Sequence, residues 1–202
     1  MKLICATLLV IGIFFSTLVE NTREGWSADY EKGSNAYVSG DYATALREWK
    51  PLAEQGNAGA QYNLGLMYVK GEGVIQDYKT AVKWFTLAAE QGHAPAQFNL
   101  GLMYENGHGV PQDYKTAVKW WKLAAEQGHA LSQLNLGVMY GMGRGVIQDN
   151  VYAHMWGNIG AANGNEEGGK LRDTVAKNMT PSQIEKAQTL ARECVAKNYK
   201  GC

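Results

Sequence analysis

Three sets of residues in this chain have side-chain types that do chemistry elsewhere. Gly71-x-Gly73, Gly107-x-Gly109 and Gly143-x-Gly145 are the kind of glycine pair found in phosphate-cradling loops. Such a loop needs a strand before it and, in the P-loop form, Lys-Ser/Thr after it. Neither occurs here, and the fixed interval between the pairs assigns them to turns between helices. His93 and His129 follow glycines at equivalent positions, His108 lies in a turn, and His154 sits on a helix beside Trp156. None belongs to an HExxH or similarly spaced ligand set, so they read as structural or solvent-facing. Ser, Asp and His are all present, yet no pattern ties them into a triad, and a triad assembled only in space leaves no mark in the spacing. The residues therefore name no catalytic group, no metal site and no cofactor.

The cysteines depend on the address of the chain. Met1 and Lys2 are followed by an uncharged, largely apolar run of 17 residues (3–19) and a polar segment (20–25). This is the order of an export signal. Residues 1–28 would be removed after Trp26-Ser27-Ala28, and Asp29 would open the mature chain. A run of this length also reaches the lower edge of a membrane span, so an uncleaved anchor is the alternative. Cys5 lies inside this leader, and the mature chain keeps Cys194 and Cys202. In an exported chain an even count points to one disulfide between them. Two free thiols on the tail are the other reading. The expected location is periplasmic or secreted.

A repeat positions all of these residues. Residues 78–113 and 114–149 align without gaps, with 26 of 36 positions identical. Residues 42–77 are a looser copy, and 150–177 a decaying one. A period of roughly 20–50 residues marks a solenoid, whose units cannot bury their own apolar faces and so must stack. The product is an extended surface rather than a deep cleft. Charge supplies an exclusion: 19 basic against 19 acidic side chains leave no net charge. The basic stripe that drives nucleic-acid binding is missing.

Each unit reads as two helices. Asp77 is a good N-cap. Ala81, Trp84, Phe85, Ala88 and Ala89 then form one stripe, and Gly92 stands where a left-handed C-terminal residue is wanted. The next helix spans about 94–105, a glycine-rich loop covers 106–112, and Asp113 caps the following copy. An earlier pair occupies 29–39 and 41–55. A later one occupies 165–179 and a stretch ending near 197, opened by Thr180-Pro181-Ser182-Gln183, a capping box with proline in first position. The expectation is an all-α solenoid of about ten helices in five antiparallel pairs. Its segments are a signal peptide (1–28), an N-terminal helix pair (29–57), repeats (58–164) and C-terminal capping helices (165–202).

The repeat carries Ala60, Leu64, Gly65, Tyr68, Gly71, Gly73, Val74, Asp77, Ala81, Trp84, Ala88, Ala89 and Gly92, and the same set recurs from Ala96 to Gly128. A third set, with Ser132 for the first small residue, runs through Leu136, Gly137, Tyr140, Asp149 and Trp156 to Gly164. With these residues the chain resembles the Sel-1-like repeat family, relatives of the tetratricopeptide repeats. The opening pair, with Gly40-Asp41-Tyr42-Ala43, is closer to a plain tetratricopeptide turn. The resemblance implies a right-handed superhelix and a scaffold, adaptor or regulator acting through protein contacts. One subgroup has a cysteine pair in each repeat and penicillin-binding activity. This chain lacks those cysteines, so that activity does not carry over. A hydrolase of cell-wall peptides or β-lactams is an alternative resting on analogy alone.

The first helix of each unit holds the candidate site. With Leu64 centred on the face toward its partner helix, Tyr62 and Leu66 point nearly the opposite way, as do Phe98 and Leu102, then Leu134 and Val138. Asn63, Asn99 and Asn135 flank them at the same period, and asparagine can both donate to and accept from a peptide backbone. An apolar row with polar edges marks a partner site, although a helix apolar nearly all round is also what stacking between units produces. The expected function is non-catalytic binding of a protein or peptide, with no cofactor, no nucleic acid, and membrane contact only through an uncleaved leader.

Overall fold

The computed structural model describes residues 30–202, so the leader and Cys5 lie outside the described residues. The described part is helical throughout. Helix α1 covers 30–38. It is followed by α2 (Tyr42–Glu54), α3 (Ala58–Lys70), α4 (Tyr78–Glu90), α5 (Ala94–Asn106), α6 (Tyr114–Ala125), α7 (Ala130–Met142), α8 (Asn150–Ala162), α9 (Glu166–Ala176) and α10 (Pro181–Ala196). They form a stack of about five helix pairs in which each helix from α3 to α8 packs against the one before and the one after, while α10 returns to lie on α8. The result is a right-handed α/α superhelix.

Local chemistry repeats with the sequence. The second helix of each of the first four hairpins starts at an aspartate, Asp41, Asp77, Asp113 or Asp149, whose carboxylate accepts from backbone N–H groups of the first turn. That satisfies donors the helix itself leaves orphaned. The expected stop signals are also present. Gly92 and Gly128 hold left-handed backbone at φ 86° and 83°, just past α4 and α6. Gly109 and Gly145 are needed for a second reason: a Cβ at either would overlap the carbonyl of Tyr78 or Tyr114. The Gly-x-Gly pairs are thus interhelix turns.

Within each hairpin a glycine on the first helix admits a ring from the second. Gly33 receives Trp49, Gly65 receives Phe85 and Gly101 receives Trp121. Trp121 Nε1 then donates to the Phe98 carbonyl at 3.1 Å, as Trp49 Nε1 does to that of Tyr30 at 3.2 Å. The fourth hairpin breaks the pattern, because Gly157 stands where the ring would be. Helix α9 closes into the space. Gly168 O lies 2.9 Å from where a Gly157 Cβ would be, and Leu171 takes up the room beside Gly137. The weakening of the repeat after residue 150 therefore has a packing counterpart.

The buried stripe of α4 is Ala81, Val82, Phe85, Ala88 and Ala89. Trp84, read from sequence as part of it, is only half-buried and faces the gap between successive second helices. Val82 is buried in its place. At the far end, Cys194 and Cys202 are joined in a disulfide with Cα atoms 5.6 Å apart. No helix among the described residues is long and apolar enough to cross a membrane.

Candidate functional site

The first helices bring the row together, two residues from each. Tyr62 and Leu66 on α3, Phe98 and Leu102 on α5, and Leu134 and Val138 on α7 are all half-buried. None is sealed, and none stands free. Tyr62 packs against Phe85 and His93, with ring centroids 5.9 and 4.9 Å away. Burial raises the pKa of its phenol. Phe98 lies 5.0 Å from the ring of His129 and, with Leu102, rests on the apolar cluster of the following hairpin. Tyr62, Leu66, Phe98 and Leu102 thus pack in part against the apolar clusters of the stack, and their half-burial leaves the rest of each side chain to solvent.

The asparagines divide. Asn63 Nδ2 donates to the Tyr30 hydroxyl at 3.2 Å, and Asn99 Nδ2 donates back to the Pro95 carbonyl at 2.9 Å. Asn135 makes no side-chain hydrogen bond to the described residues, and Phe98, the equivalent of Tyr62 one unit on, has no hydroxyl to offer. All three amides are half-buried beside the apolar row.

The histidines fall into structural places. His93 and His129 are N-caps of α5 and α7, with Nδ1 accepting from the backbone N–H of Ala96 and Ser132, both at 3.3 Å. Burial holds both pKa values below the usual histidine range. His108 stacks on Tyr78. His154 is 3% exposed, and its Nδ1 has no partner. Burial, then the Arg172 charge, push its pKa down. Among the described residues, no group of His, Cys, Asp or Glu is arranged to hold a metal ion.

A buried amide ladder went unnoticed in the sequence. Gln61, Gln97 and Gln133 are nearly sealed. Each donates Nε2 to the carbonyl of Ala53, Ala89 or Ala125 on the preceding second helix, at 3.0, 3.0 and 3.2 Å. Each Oε1 in turn accepts an amide from just past the second helix of its own hairpin: Gln91 at 2.7 Å, Gln127 at 2.8 Å and Asn163 at 2.8 Å. The signal was available as two amide positions recurring every 36 residues. Above the first rung lies an open depression of about 620 Å³, walled by Glu54, Trp84, Leu87 and Glu90.

Comparison with known proteins agrees with this geometry. No curated protein matches the chain. It is similar to a protective antigen present in uropathogenic Escherichia coli that displays an SLR fold, with 30% identity and a TM-score of 0.61 over 86% of this chain and 46% of that one. It thus spans less than half the length of the antigen. It is also similar to a Sel1 repeat protein from Oxalobacter formigenes, with 29% identity and a TM-score of 0.65 over 84% of this chain and 77% of that one. The Sel1 repeat model matches residues 58–93, 94–129 and 130–165, which are the hairpins α3/α4, α5/α6 and α7/α8 with their caps. Such repeats typically serve as protein-interaction scaffolds. With three tandem matches laid on three successive hairpins, the chain belongs to the Sel1 repeat family.

Proposed function

We propose that this protein is an exported, non-catalytic scaffold that binds a protein or peptide along the first-helix row, on the concave side of the superhelix. The observation that carries the reading is the half-buried state of Tyr62, Leu66, Phe98, Leu102, Leu134 and Val138 on three successive first helices. A continuous apolar strip with solvent on one edge is what a partner would cover. Asn63, Asn99 and Asn135 supply donors and acceptors beside it, and Asn135 has its full capacity free of the described residues. A disulfide between Cys194 and Cys202 fits an oxidising compartment outside the cytosol.

The test avoids Phe98, whose packing on the next hairpin makes its removal a stability change as well. Partners are captured by crosslinking from a native envelope fraction with the wild-type chain and with Asn135→Arg and Val138→Arg. Each variant is first shown to melt as the wild type does. A specific partner should be captured by the wild type and lost from both variants. Undiminished capture by well-folded variants would remove the row from the function. Mass spectrometry of the mature N-terminus tests export: a chain beginning near Asp29 is expected, and one that retains residues 3–19 in membranes would replace secretion with anchoring.

A further inference from the structure

The second helices carry another row, and the fold covers it in only one of its copies. Leu87, Leu123 and Ile159 are equivalent by the 36-residue period, as are Trp84, Trp120 and Trp156. Leu87 and Leu123 are 44% and 45% exposed, whereas Ile159 is 1%. The tryptophans follow: Trp84 and Trp120 are half-buried and Trp156 is sealed. The difference arises because α10 and the segment behind it lie over α8 and cover its second-helix face.

The contacts of that cover are specific. Helix α10 presents the small side chains Ala187, Ala191 and Cys194 on one face. Beyond it, the Tyr199 hydroxyl donates to Asn163 Oδ1 at 3.0 Å, and the Gly201 N–H donates to Glu126 Oε1 at 3.3 Å. The Tyr199 ring lies against Gly128. Asn198 and Tyr199 hold left-handed backbone, at φ 51° and 64°, a region that residues other than glycine seldom occupy unless contacts fix them. Glu126, Gly128 and Asn163 correspond to Glu54, Gly56 and Gln91 around the open 620 Å³ depression, and to Glu90, Gly92 and Gln127 one unit later. The donors match as well. Asn163 gives its N–H to Gln133 and turns its oxygen to Tyr199. Gln91 and Gln127 give theirs to Gln61 and Gln97, which leaves each with an amide oxygen for a hydroxyl.

We infer that the α2/α4 and α4/α6 grooves form a second docking surface, and that its occupant is a segment of a partner protein built like this chain's own α10 and tail. That segment is a short helix with small residues on one face, followed by a turn bearing a tyrosine. The tyrosine hydroxyl meets Gln91 or Gln127, a backbone N–H beyond it meets Glu54 or Glu90, and the small-residue face covers Leu87 or Leu123. This surface lies on the second helices, so its failure would leave the first-helix row untouched.

The test uses the whole protein and, as probe, a labelled disulfide-closed peptide of residues 180–202. The readout is fluorescence anisotropy, with circular dichroism to show that each variant is folded. Saturable binding is expected. It should fall about tenfold or more when Leu87→Glu and Leu123→Glu are combined, and about two- to tenfold when the probe carries Tyr199→Phe. Absence of binding at millimolar probe would overturn the inference. So would binding indifferent to Leu87→Glu and Leu123→Glu, since the peptide would then be replacing the protein's own α10 over Ile159 rather than filling the open grooves.

Discussion

Gly101 sets how closely α5 and α6 approach, because a methyl group there would run into the indole of Trp121. Gly101→Ala should cost about 1–3 kcal/mol in chemical denaturation, the usual range for overpacking a filled site. It should also shift the tryptophan emission, since the ring must leave its bond to the Phe98 carbonyl. Gly92→Ala meets open space but keeps a φ of 86°. It should cost roughly 1–2 kcal/mol of backbone strain and leave the emission unchanged. The histidines give a prediction in pH. His93, His129 and His154 all have folded pKa values lowered first by burial, so the unfolded chain takes up protons before the folded one does. Their contribution is complete above about pH 6.5, the ordinary histidine value, and is lost as pH falls through the lower folded values. Denaturation midpoints measured from pH 7.5 to 5 should therefore drop, and His129→Asn, which keeps a capping acceptor, should flatten the drop. A midpoint unchanged across that range would show that these rings do not titrate differently on folding. At this scale the aspartate caps were legible because aspartate rarely has another reason to stand before a helical stripe. The histidine caps were not read, although residues 57, 93, 129 and 165 alternate Asn, His, His and Asn, each of which offers a side-chain acceptor.

Among elements, register between hairpins is a matter of directional bonds as much as of apolar contact. Apolar stacking tolerates sliding, whereas the amide ladder allows one alignment of each second helix against the next. Gln97 links Ala89 of α4, its own α5, and Gln127 beyond α6. Gln97→Leu removes both bonds. The Ala89 carbonyl still accepts from the Gly92 N–H and Gln127 can turn to water, so the loss should be about 1 kcal/mol, toward the low end for a buried polar group. A double-mutant cycle with Gln127→Ala should show coupling of about 0.5 kcal/mol or more. Strict additivity would mean that the rung carries no register energy. The ladder is hard to see in the sequence because glutamine is usually an exposed surface residue, so its period alone does not announce burial. Helix positions were legible within about three residues because caps, stripes and glycines agreed, α9 ending at Ala176 being the largest departure. The orientation of Trp84 was not, since a stripe drawn on one helix cannot show which side the next hairpin will cover.

For the whole molecule, the period made the architecture legible. Any unit that repeats its apolar positions at a fixed interval, without enough of them to close on itself, must stack. The end of the stack was harder to read, because Gly157 removes the ring that would announce another ordinary hairpin and because a polar helix surface conceals how α10 sits. Its buried side chains are small, Ala187, Ala191 and Cys194, which gives it little apolar area with which to hold α8. The bond between Cys194 and Cys202 closes a short loop and keeps Tyr199 and Gly201 against Asn163 and Glu126. Its loss should therefore cost about 2–3 kcal/mol. In a solenoid, each hairpin depends chiefly on its neighbours, so the cost should remain local. Hydrogen exchange followed by mass spectrometry, with and without reductant, should show α10 losing protection and α8 weakening as Trp156 and Ile159 are uncovered, while α3 to α6 keep their rates. Cys202→Ser should reproduce the reduced pattern without disturbing the buried Cys194 position. If reduction instead lowered protection evenly from α1 to α10, the hairpins would unfold as one cooperative body, and the independence of the end cap from the two proposed binding rows would fall with it.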